Sequence, residues 1–140
     1  MTRYVIGPDV ALLLAEREAK LSASQRLLAP TLLRSEVLAR LYESVQRGKL
    51  SRKDAERRLD HLRGLRIRLL GDRVLQRVAW EIAETLRWKD TLAAEYLALT
   101  RLQADAFVTL DAKLAKTAAR VVRVASAEEL LGRVKRPESA

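Results

Sequence analysis

Cysteine is absent from this 140-residue chain, and histidine occurs once. The first absence excludes a disulfide framework and thiolate metal sites, and the second leaves zinc without its usual ligands, so any bound metal has to be held by oxygen. Aromatic residues make up 4% of the chain, which argues against an extended stacking platform for single-stranded nucleic acid. With five glycines and three prolines there is no flexible tract to divide the chain, and no repeat or low-complexity segment. The longest apolar run near the N-terminus, "VALLLA", is too short for a membrane span and unlike a cleavable signal. The expectation is a cytoplasmic protein with no membrane segment.

What is present is ordinary for one globular domain: 49% hydrophobic and 32% charged residues. The charge balance is less ordinary. Twenty-seven Lys and Arg against 18 Asp and Glu give a formal +9, a field that draws in phosphate-rich or acidic partners. Nucleic acid, an acidic protein and an anionic membrane surface are all compatible with it, because the basic residues are dispersed rather than blocked.

Along the chain, short β-rich runs alternate with helical periodicity. "RYVI" (3–6) stops at Gly7-Pro8 and "DVALLLAEREAK" follows as a helix. "RLLA" (26–29) closes at Pro30, and Leu33, Val37 and Leu41 then recur every fourth residue up to Gly48. Ser51 is a natural N-cap for a charged helix ending at Gly64. "LRIRLL" (65–70) alternates as a half-exposed strand, and two helices, "RVLQRVAWEIAETLRW" and "DTLAAEYLALTRLQ", lead to the strand "AFVTL" (106–110). A short helix, the strand "RVVRV" (120–124) and a last helix begun by a Ser126–Glu129 capping box complete the domain. Five strands and about seven helices in alternation predict a single-domain, three-layer α/β/α fold with a mainly parallel five-stranded sheet. The domain is expected over 1–134, with a disordered tail over 135–140.

Sites in such sheets form beyond the carboxyl ends of the strands, where the strand order reverses. Asp9 follows the first strand and Asp111 the "AFVTL" strand, so both are expected on that rim. Glu36, in the helix after Pro30, and Asp90, opening the helix that leads into "AFVTL", are placed to face it as well. Acids converging on one cleft repel one another unless protons or cations intervene. Mg²⁺ or Mn²⁺ fits best, since hard cations take carboxylate, water and phosphate oxygens. Such an ion activates water and stabilises negative charge in phosphodiester hydrolysis, and the surrounding positive field would recruit the polyanion.

Each acid also has a structural reading. Asp9, Asp90 and Asp111 precede helices and can cap them, and Glu36 can pair with Arg40 four residues on. Asp105, at the opposite end of its strand from Asp111, reads as a turn residue. His61 sits on a polar helix, where solvation or capping outweighs a general-base role. Trp80 and Trp88, eight residues apart, read as core or interface rather than as base-stacking groups. The Arg-rich "RGLRIRLLGDR" suits an RNA groove and an exposed strand face equally well.

Over nearly its whole length the sequence resembles the PIN-domain ribonucleases, particularly the VapC-type toxins of bacterial toxin–antitoxin pairs. "LLAPTLLRSEVLARLYE" is similar to the family's proline, spacer and glutamate in an apolar helix, which implies Glu36 as a metal-site acid. "AFVTLDAKLA" is similar to the family's strand, Thr-x-Asp and short helix, which implies Asp111 with Thr109 in support. "YVIGPDVALLLA" resembles the opening strand and its acid, with Gly-Pro inserted before Asp9. The fourth motif departs: "LAAEYLALT" keeps Ala94, Tyr96 and Leu99, but Ala93 stands where the family has aspartate, leaving Asp90, one turn earlier, as the remaining acid. The resemblance implies a Mg²⁺-dependent endoribonuclease toxin, an RNA substrate, a VapB-type antitoxin lying across the cleft, and a homodimer. Ala93 raises two alternatives: an inactivated form of that enzyme, or a non-catalytic RNA- or protein-binding relative. A phosphoacceptor receiver domain is disfavoured, because no pair of adjacent acids follows the first strand.

Overall fold

The computed structural model describes residues 1–132; the end of the expected domain and the expected tail at 135–140 lie outside the described residues. In chain order the strands are β1 (Thr2–Ile6), β2 (Gln25–Pro30), β3 (Arg68–Leu70), β4 (Ala106–Val108) and β5 (Val124–Ala125). The helices are α1 (Pro8–Glu16), α2 (Leu32–Gln46), α3 (Arg52–Gly64), α4 (Arg73–Leu86), α5 (Leu92–Gln103), α6 (Ala112–Ala118) and α7 (Ala127–Gly132). The sheet is wholly parallel in the order β3-β2-β1-β4-β5. This is the expected α/β fold with its five strands and seven helices among the described residues.

Central position explains sequence. β1 is flanked by β2 and β4, and Tyr4, Val5, Ile6, Phe107 and Val108 are essentially without solvent exposure. Strands covered on both faces carry continuous apolar runs rather than alternation. At the edge, β3 is only partly buried, and its sequence alternates accordingly. Two polar contacts fasten the last helix to the core: the Tyr4 hydroxyl to Glu129 Oε2 at 3.0 Å, and buried Gln25 Nε2 to the Leu130 carbonyl at 3.1 Å.

Several elements are shorter than their patterns. The pattern for α1 continues to Lys20, but the helix stops at Glu16 because Glu18 turns left-handed (φ 49°). The Ala19 N–H then bonds the Leu14 carbonyl and the Glu18 N–H the Ala15 carbonyl, a Schellman closure that satisfies the terminal carbonyls. α4 ends the same way at Arg87 (φ 56°), so Trp88 lies beyond the helix rather than on it. In "RVVRV" the Val121 and Val122 N–H groups both bond the Ala118 carbonyl; most of the expected strand is therefore a turn, and pairing begins at Val124. No helix among the described residues is long and apolar enough to cross a membrane.

Candidate functional site

The strand order reverses between β1 and β4: β2 and β3 extend to one side, β5 to the other. The carboxyl ends of β1 and β4 therefore open onto the crevice where α/β sheets place their ligands. Asp9 and Asp111 both lie there. Gly7 and Pro8 carry the chain off β1, with Pro8 in the first helical turn, where a missing N–H costs nothing. The Asp9 side chain then folds back towards β4. Its Oδ2 accepts the Thr109 hydroxyl and the Leu110 N–H, each at 2.8 Å, and its Oδ1 accepts the Val10 N–H at 2.8 Å. A Cβ on residue 7 would stand 2.7 Å from Asp9 Oδ1, so the glycine before the proline is what leaves room for this carboxylate.

Thr109 joins the two acids. It is buried, donates to Asp9, and accepts the Asp111 N–H at 3.2 Å. Asp111 itself caps α6: Oδ1 accepts the Lys113 and Leu114 N–H groups, each at 3.0 Å. The capping reading is thus present in the structure together with the rim position. Asp90 is exposed and accepts the Leu92 N–H at 3.0 Å, helping to start α5. With Trp88, Lys89, Ala93, Lys113, Leu114 and Thr117, Asp90 and Asp111 line a cleft of about 340 Å³.

Glu36 is held separately. The Tyr96 hydroxyl of α5 donates to its Oε1 at 2.6 Å, and burial followed by this bond holds the phenol far above its ordinary range, so it stays a donor. The neighbouring Glu95, absent from the sequence-derived acids, is raised above the usual carboxylate value, first by burial and then by the charge of Glu36. The signal for it is a carboxylate directly before Tyr96 in the otherwise apolar first two turns of α5.

The four expected acids are therefore gathered in smaller sets. The Asp9 carboxylate is linked through Thr109 to the Asp111 backbone, Asp90 and Asp111 share a cleft, and Glu36 lies near Glu95. Among the described residues no three acids or histidines form a group that could hold a metal ion. The donors suit a hard cation in kind, being all oxygen, and Ala93, which lines the cleft with Asp90 and Asp111, adds none.

The remaining singled-out residues have structural partners or lie elsewhere. Asp105 Oδ2 accepts the Arg3 N–H at 2.7 Å at the far end of β4, and His61 Nε2 meets the Ala19 carbonyl at 2.8 Å, tying α3 to the end of α1. Trp80 is not core: 64% of it is exposed.

Glu95 yields a test of the rim's electrostatics. Its folded-state pKa lies above the ordinary glutamate value, so the folded protein favours the protonated form. The resulting penalty is absent below the unfolded pKa, grows as pH rises towards the folded one, and is constant above it. In metal-free buffer Glu95→Gln is expected to raise Tm by roughly 2 °C at pH 7, a modest figure because the carboxyl is only partly buried. The gain should vanish below about pH 4. An equal gain at both pH values, read by calorimetry, contradicts the electrostatic account.

Comparison with known proteins yields a likeness of fold. No family model matches the chain, and no curated protein does. Among solved structures, the crystal structure of PAE2754 from Pyrobaculum aerophilum superposes with a TM-score of 0.72 at 20% identity, covering 94% of each chain. A neighbour this distant in sequence shares the architecture from end to end.

Proposed function

We propose that the chain is a PIN-type endoribonuclease of the VapC toxin kind, with an acid set one member short at Ala93. The observation that carries the reading is the junction at the switch point: the Asp9 carboxylate, from a segment a hundred residues away, takes the Thr109 hydroxyl, which in turn accepts the Asp111 backbone N–H. A cap alone does not require Asp9 to reach across to β4. Glu36 adds to it, held in place by a phenol that keeps its proton.

Mg²⁺ or Mn²⁺ belongs to this proposal, with Asp9, Glu36 and Asp111 as its ligands and Asp90 in reserve. When bound, such an ion activates water and offsets charge on the phosphate. The residues themselves orient the acids: Thr109 and the Leu110 N–H fix Asp9, Tyr96 fixes Glu36, and the first turn of α6 fixes Asp111. The +9 charge of the chain supplies the long-range attraction for RNA that clustered acids lack. An acidic antitoxin segment across the cleft, and a second copy of the chain, are part of the same proposal.

A second reading, a non-catalytic RNA- or protein-binding module on this fold, is favoured by one observation: Ala93 lines the cleft beside Asp111. Calorimetric titration with Mn²⁺ separates the two. The nuclease reading expects weak, saturable binding that is lost in Asp111→Ala and in Asp111→Asn. Asparagine keeps a capping oxygen, whereas alanine also forfeits about 0.5–2 kcal/mol of stability, so loss in both variants traces to the charge. Absent or unaltered binding favours the module.

A further inference from the structure

We propose that the cleft beside Asp111 is a nucleotide subsite, in which Trp88 stacks one base of single-stranded RNA while Lys89 and Lys113 hold its phosphates. The inference rests on the ribonuclease reading of the rim and names how the substrate is taken. At about 340 Å³ the cleft falls at the lower end of volumes that accept small ligands, the scale of one nucleotide.

Trp88 is suited to stacking because its backbone is held and its side chain is partly buried. It follows the left-handed Arg87, its N–H bonds the Ala83 carbonyl at 2.9 Å, and its ring packs in part against the core while also lining the cleft. A partly buried ring stacks a base at little entropic cost, and any base has a face to offer. Sparse aromatic content excludes an extended platform, but one ring suffices for one base. Lys89 and Lys113 come from different segments, line the same cleft, and make no ion pair among the described residues. Asp90 and Asp111 share the lining, so the two lysines offset the repulsion these carboxylates would otherwise exert on a phosphate. A duplex keeps its bases stacked on each other, so the cleft selects single strands, loops and ends.

The test uses the full chain carrying Trp80→Phe, which removes the exposed tryptophan and leaves Trp88 as the sole tryptophan, excited selectively over the tyrosines. A short oligoribonucleotide is titrated in the presence of a chelator, with binding read in parallel from the anisotropy of an end label. The expected result is saturable quenching of Trp88 that follows the anisotropy. Trp88→Ala should weaken binding at least about fivefold and Trp88→Phe should nearly restore it. Lys113→Ala should lower the salt slope by roughly 0.7. Absent binding, binding without quenching, unchanged affinity in Trp88→Ala, or equal affinity for the duplex overturns the proposal. Because the binding assay contains no metal, the outcomes separate: quenching with no Mn²⁺-dependent cleavage even in Ala93→Asp sinks the nuclease reading alone, and cleavage without quenching sinks the subsite alone.

Discussion

Ala93→Asp is expected to raise Mn²⁺-dependent cleavage of single-stranded RNA by at least about 100-fold over the unaltered chain. Groups that only support metal ligands are worth about 10–100-fold in affinity or activity, and a missing ligand should exceed them. The position favours the gain. Residue 93 lies in the first turn of α5, partly exposed, on the cleft it would share with Asp111. A carboxylate there gains from the helix dipole and displaces no packed side chain. Asp90 is a poor substitute, since it lies ahead of α5, outside the helix, and its Oδ1 already accepts the Leu92 N–H. Ala93→Asn, with similar shape and no charge, should stay near baseline, and adding Asp111→Ala to Ala93→Asp should abolish the gain. Turnover unchanged in a folded Ala93→Asp protein, measured on a labelled oligoribonucleotide, removes the ground for reading Ala93 as the missing ligand position.

The fold was largely readable because its signals are local and repeated. "RYVI" and "AFV" are apolar without alternation, as central parallel strands must be, and Ser51, Asp111 and Ser126 each cap the helix expected after them. The errors fall where tertiary context overrides a local pattern. Glu18 and Arg87 adopt left-handed conformations that sequence reading reserves for glycine or asparagine, so α1 and α4 end earlier than their periodicity. That displacement carries Trp88 off the helix face assumed for it and into the cleft. The rim was legible in part. Strand polarity puts Asp9 and Asp111 at one end of the sheet and Asp105 at the other, and the structure has them so. The division of the acids into smaller sets was not legible, since it depends on Tyr96 reaching Glu36 across sixty positions of sequence and on a methyl group at position 93.

Phe107→Ala is expected to cost about 3–5 kcal/mol, a large share of the roughly 5–15 kcal/mol that holds a domain of this kind folded. Phe107 is 2% exposed and sits mid-strand in β4, opposite Val5 of β1 and Val124 of β5. Truncation there leaves a cavity walled by strands on both sides, which cannot close by moving a loop. The effect also reaches the rim. The Phe107 ring lies 6.3 Å from that of Tyr96, tilted by 52°, and Tyr96 is the residue whose hydroxyl holds Glu36. Removing the ring frees the phenol to swing, so at temperatures where the variant remains folded, its Mn²⁺ affinity should fall although no acid has been touched. Phe107→Leu, which refills much of the space, should give a smaller loss of both. Urea denaturation measures the first quantity and calorimetric titration the second. A full loss of stability with Mn²⁺ affinity intact would uncouple the acids from the core beneath them and leave the Tyr96–Glu36 bond as packing detail.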